Sequence, residues 1–229
     1  MIPKRPLPLF FVATLLLALF LGVSLAISAP GDQLSNSPDD PILKGARGTI
    51  ARALEEAHFA LHPPSEEDLT AGIAAWQTVY ETLQHPRCMN CHPAGNQPLQ
   101  TDQSRPHAMN ISRESQDGGL ACATCHMEQN ADLLGIPGGP PGAPHWQLPE
   151  PEMPLIFEGR SPNELCEQFK RPQDNGFKTL EALLDHVRHD ALVLWGWEPG
   201  GDRTTPPHSH DDFAAAFEVW VRSAGACPP

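Results

Sequence analysis

The chain is poor in positive charge: 15 Lys and Arg stand against 28 Asp and Glu in 229 residues, a formal charge of −13. That balance excludes the polyanions. Nucleic acid and anionic lipid surfaces need a basic face, whereas a protein partner with a basic docking patch suits an acidic surface, which also serves solubility. Strand-like alternation is missing at any length, so the fold class is mainly α with extensive loops and little or no β-sheet. Long apolar runs are missing after residue 27, and no repeat occurs beyond one pentapeptide. Proline and glycine are plentiful, 26 and 18, which predicts a loop-rich chain.

The one long apolar run is N-terminal. Lys4 and Arg5 precede a stretch from Leu7 to Ile27 broken only by Pro8, Thr14, Gly22 and Ser24, followed by small residues up to Ala29-Pro30. This is an export segment over residues 1–29. Cleavage after Ala26 fits the small-x-small rule and is the favoured outcome, and it would take the charge to −15, because Lys4 and Arg5 leave and no acid does. About 20 apolar residues also suffice to span a bilayer uncut, so an N-terminal anchor is the alternative and the single route to a membrane. Either way the rest of the chain is placed outside the cytoplasm, in the periplasm, with the positive charges kept inside.

Residues 30–42, rich in Pro, Ser, Asp and Gly, read as a flexible linker, and 43–229 as one domain. Helices are expected from about Ile42 to Leu61, stopped by Pro63-Pro64, and from Ser65 to about Gln84. There Ser65 and Asp68 form a capping box, and Leu69, Ile73, Trp76, Val79, Tyr80 and Leu83 make one apolar stripe. Ser161-Pro162-Asn163-Glu164 opens a short helix. Thr179 to about His189 and the segment after Ser209 open two more, the last with Phe213, Phe217, Trp220 and Val221 inward. The run Gly135 to Pro144 reads as an ordered loop, because a solvated linker would carry Ser, Glu or Lys instead.

The pentapeptide that repeats is Cys-x-x-Cys-His, at Cys88 to His92 and at Cys122 to His126. Chance placement gives roughly 0.007 copies in a chain of this composition, so two need a cause. Two thiols three positions apart lie on one side of a helical turn and can add to the two vinyl groups of a protoporphyrin. The His that follows then sits under the iron. Zinc sites use Cys-x-x-Cys without needing that His, and nothing nearby has the strand and helix alternation of a thioredoxin-like dithiol. The motifs thus predict two covalently bound haem c groups, with Cys88, Cys91, Cys122 and Cys125 as thioether donors and His92 and His126 as proximal iron ligands. Their first cysteines are 34 residues apart, too few for a chain to enclose one porphyrin as its own domain. Both haems therefore belong to one dihaem cytochrome c-like domain and lie close together.

Each iron has a sixth position. His107 and His145, both after a proline in loops, are the leading distal candidates, with Met153 and His186 behind them. His85 is too near Cys88 to reach over its own haem. Four of the six cysteines are taken by thioethers. In an oxidising compartment the remaining Cys166 and Cys227 read as one disulfide, closing a loop of about 60 residues and worth about 2–4 kcal/mol.

From residue 85 onward the chain resembles the small exported dihaem proteins grouped as isoquinoline 1-oxidoreductase subunits. The shared features are His-Pro-Arg-Cys-x-Asn-Cys-His-Pro (His85 to Pro93), Pro106-His107, Ala143 to Trp146, Trp195-Gly196-Trp197 and Gly225 to Pro228. Over residues 88 to 126 it is also similar to the small dihaem subunit of periplasmic nitrate reductase. The resemblance implies an electron-accepting cytochrome serving a partner oxidoreductase such as a molybdenum hydroxylase. An electron carrier without chemistry of its own is the leading expectation. The alternative is a dihaem peroxidase-like enzyme or a haem-based sensor, which would keep one iron open.

Overall fold

The computed structural model describes residues 41–229 except Pro151, Glu152 and Pro154. The export segment and residues 30–40 of the linker lie outside the described residues. The described helices are α1 Pro41–Leu61, α2 Glu66–Leu83, α3 Pro86–Met89, α4 Arg113–Asp117, α5 Pro162–Lys170, α6 Pro172–Asn175, α7 Leu180–His189, α8 Ala191–Trp195 and α9 His210–Arg222. Between α3 and α5 the chain runs through loops. They carry one-turn 3-10 helices at Ala108–Asn110, Cys122–Thr124 and Ala131–Leu134, and an antiparallel ladder of β1 Leu99–Gln100 with β2 Arg105–Pro106. The fold is mainly helical, and this ladder is the one sheet among the described residues. Among those residues no helix is long and apolar enough to cross a membrane.

The helix starts follow side-chain chemistry. Ser65 accepts the Asp68 N–H (3.1 Å) while Asp68 accepts the Ser65 N–H (2.9 Å), and Ser161 with Glu164 repeats the box at α5. Each box satisfies two N–H groups that a helix start leaves without partners. Thr179, Asp190 and Ser209 cap α7, α8 and α9 in the same sense. α1 begins at Pro41, inside the expected linker, because a missing amide hydrogen costs nothing at a first helical position.

α2 and α9 pack along each other, α9 also meets α7, and α2 meets α5. Trp76, Val79 and Leu83 of α2, Leu165 and Phe169 of α5, Leu183, Leu184 and Val187 of α7, and Phe213, Phe217 and Trp220 of α9 form the core with Phe157. The indoles of Trp76 and Trp220 lie 4.8 Å apart, and each large side chain so buried contributes about 1.5–3 kcal/mol. The buried face of α2 is rotated from the expected stripe: Ile73 is 37% exposed, and Gly72 is buried instead. The cause is close approach, since a Cβ on Gly72 would stand 1.9 Å from Ser223 Oγ at the end of α9. Cys166 and Cys227 form a disulfide that ties α5 to the segment after α9. Among the described residues, none between 90 and 154 belongs to this core cluster.

Candidate cofactor site

Each pentapeptide forms one helical turn. In the first, α3 starts at Pro86 with His85 as its cap, and Cys91 N–H and His92 N–H reach back to Cys88 O (3.2 Å) and Met89 O (2.9 Å). In the second, Cys125 and His126 N–H both turn back to Cys122 O, at 3.1 and 3.0 Å. The turns place the two thiols of each motif on one side. Cys88 and Cys91 are half-buried. Burial pushes their thiols up to about 12 and about 11 respectively, with Arg87 opposing the shift.

The motif histidines are held alike. His92 Nδ1 donates to Leu155 O at 2.7 Å, and His126 Nδ1 donates to Pro141 O at 2.7 Å. A backbone carbonyl accepts only from N–H, so in each ring the lone pair is at Nε2, the nitrogen that a metal would take. The rings are also clamped by aromatics. Phe157 stacks on His92 with centroids 3.8 Å apart, Trp146 lies parallel to His126 at 4.8 Å, and Trp195 meets Trp146 in a T-shaped contact at 4.8 Å. Burial holds His126 below the usual imidazole range, and the nearby charges of His107 and Arg203 act the same way against the raising effect of the Pro141 carbonyl. A neutral imidazole is the form that ligates.

Of the distal candidates, the structure brings His107 to a motif. Its ring centroid is 6.0 Å from that of His126, with planes at 61°. Two imidazoles sharing one iron through Nε2, each at a bond of ~2 Å, put their centroids about 6 Å apart. His107 Nδ1 donates to Ala108 O at 2.8 Å, so its lone pair too is at Nε2. The hairpin explains the placement: His107 follows β2, its N–H reaches Pro98 O (2.9 Å), and Gln97 donates to its carbonyl (3.0 Å).

The other candidates lie elsewhere. His145 is exposed in left-handed backbone (φ 60°), and its neighbour Trp146 makes the contact with His126. The Met153 sulfur sits beside Gly176, and His186 on α7 faces Asp190 at 3.4 Å. His85 spends Nδ1 on the Arg87 N–H.

Both motifs open onto one cleft of about 830 Å³ that is lined by Cys91, Cys122, Cys125, His126, His107 and Trp146 among others. The volume lies in the range of cofactor sites. Three buried polar atoms on its walls have no partner: Arg87 Nε, Asn90 Oδ1 and Asp132 Oδ1. The donor set, the space and these atoms fit a haem at the second motif. The first motif supplies the same turn, thiols and carbonyl-fixed imidazole. Among the described residues, no group of three or more His, Cys, Asp or Glu is arranged to hold a metal ion unaided.

Sequence reasoning missed the partners that orient the imidazoles. Leu155 and Pro141 act through backbone carbonyls, which leave no residue signature. Asn130 fastens the second loop by accepting from Gly142 N–H (3.0 Å) and Trp195 Nε1 (2.8 Å). Gly142 is obligatory there, since a Cβ would meet the carbonyl oxygens of Met127 and Gln129 at 2.4 Å. No protein-family model, curated protein or solved structure matches the chain.

Proposed function

We propose that the chain is a dihaem c-type cytochrome that transfers electrons in the periplasm. It accepts them from a partner oxidoreductase with a basic docking patch, for which the sequence resemblance suggests a molybdenum hydroxylase. The observation that carries the reading is the pair His126 and His107. Both rings keep Nε2 available through carbonyl-bonded Nδ1, they stand at the separation of two axial ligands, and they flank a cleft lined by Cys122 and Cys125. With both imidazoles holding one haem iron, the site would pass single electrons and would leave no open position for substrate.

The chain's residues hold and tune such a group. The four motif cysteines would anchor it, Phe157 and Trp146 would fix the planes of His92 and His126, and the Leu155 and Pro141 carbonyls would raise the basicity of those rings. Cys91 and Cys122 open onto the same cleft, which favours a short path between the two groups.

Expression with a haem-attachment system should give a pyridine haemochrome of two c-type haems per chain that survives acid acetone extraction. One haem or none would refute the reading. Electron paramagnetic resonance of the oxidised protein should show low-spin iron, and a high-spin fraction in the native protein would replace electron transfer with a peroxidase-like or sensing role.

A further inference from the structure

The cleft carries a second kind of chemistry besides the iron ligands. Arg87 lines it with a side chain only 4% exposed. One Nη2 hydrogen goes to Asp102, the guanidinium lies 5.9 Å from the centre of the Trp195 ring, and Nε has no partner. A guanidinium has five N–H donors in a fixed fork, so Asp102 satisfies only part of it, and a buried donor left unmade is costly.

Arg203 lines the same cleft. Its guanidinium bonds only to carbonyl oxygens, those of Pro199 (2.9 Å), Gly200 (3.2 Å) and Gly139 (2.9 Å). No carboxylate pairs with it among the described residues. Three acids line the walls: Asp102 is engaged by Arg87 and by the Thr204 N–H, Asp132 accepts from the Gly201 N–H, and Asp202 is exposed and makes no ion pair with either guanidinium. The wall therefore presents one guanidinium with an open donor and one without a counterion, which is a receptor for a carboxylate.

We propose that Arg87 and Arg203 form a carboxylate subsite that binds a propionate of the haem ligated by His126 and His107. The proposal rests on the haem reading above. That haem enters the cleft with two carboxylates, and burying one without a cation would be expensive. Trp195 supports the guanidinium face, and Asp102 keeps it in place.

The test uses the holoprotein with two haems verified by pyridine haemochrome. Resonance Raman propionate bending bands should shift in Arg203→Gln and in the charge-balanced Arg87→Gln/Asp102→Asn. In Arg203→Gln the reduced-to-oxidised ratio of one haem at fixed ambient potential should fall about tenfold, ~59 mV, because losing a nearby cation disfavours the reduced form. Two retained haems with unshifted propionate bands in both variants would overturn the subsite. Absence of haem in the wild type would overturn the haem reading instead. If the double variant does not fold, Arg203→Gln alone decides the matter by the same bands.

Discussion

Replacing His107 by alanine removes one imidazole and leaves its carrier hairpin in place. The backbone bonds that hold the hairpin, His107 N–H to Pro98 O and the Leu99/Pro106 register, do not involve the ring. The ring itself contributes one hydrogen bond, to Ala108 O, so its loss should cost the fold only about 0.5–1.5 kcal/mol. The effect on iron is much larger. With two haems per chain and one sixth ligand lost, half of the iron should pass from low-spin to high-spin, and about one carbon monoxide should bind per reduced chain. Both thioethers and the His126 bond should remain, because neither needs the distal ligand. Spin quantification at low temperature and a carbon monoxide titration measure these together. A variant that stays wholly low-spin and takes up no carbon monoxide would show that the approach of His107 to His126 is packing and not ligation. His107→Met offers the converse, since a thioether in place of imidazole should raise the potential of that haem.

Stability makes three further predictions. Cys166→Ala with Cys227→Ala opens a disulfide of sequence separation 61 and should lower unfolding free energy by about 2–4 kcal/mol, read by denaturant titration against the oxidised wild type. Gly72→Ala gains about 1 kcal/mol of helix propensity but drives a Cβ into Ser223 Oγ, and the overpacking cost of about 1–3 kcal/mol should leave it net destabilised; an equal or higher Tm would contradict the packing of α2 on α9. Glu55 of α1 caps α7 by accepting the Leu180 N–H at 2.8 Å, and burial raises its pKa. Its ionised form thus costs stability at neutral pH, and the cost disappears as acid protonates the carboxyl. Glu55→Gln should accordingly be more stable than wild type at pH 7, with the gap closing below the usual carboxylate range; a gap that widens on acidification would reverse the sign.

The helices were legible because their signals are local. Ser65, Ser161, Thr179 and Ser209 announce helix starts by caps that act within three residues, and α7 and α9 bury the stripes that periodicity picks out. α2 departed from its stripe because Gly72 lets α9 come close, and a glycine's effect depends on what approaches it. The Cys-x-x-Cys-His turns were readable for the same local reason. The orienting carbonyls of Leu155 and Pro141 were not, since any residue supplies a carbonyl and only the fold brings residue 155 to residue 92. The hairpin that delivers His107 has two residues per strand, too short for alternation to register. Arg87 was visible only as a letter in a motif, and its buried, partly unmet guanidinium is a property of the cleft.

The two motifs sit in unlike surroundings. The first is joined to the helical core: Cys88 and Met89 pack against it, and His92 stacks on Phe157, itself a core member in contact with Phe169. The second lies within residues 93–150, none of whose described members belongs to that cluster, and that segment is fastened by hydrogen bonds of Asn130, Arg203 and Gln97 and by the stack of Trp146. A segment of this length without an apolar core has little with which to offset its ordering entropy. Under the proposed function a bound macrocycle would supply the missing apolar surface, and His107 from one loop with His126 from another would then staple the segment to itself. The glycine- and proline-rich stretch suits that division: a segment that would wrap a cofactor needs close turns, such as the one in which Gly142 approaches the Met127 and Gln129 carbonyls, more than it needs helices.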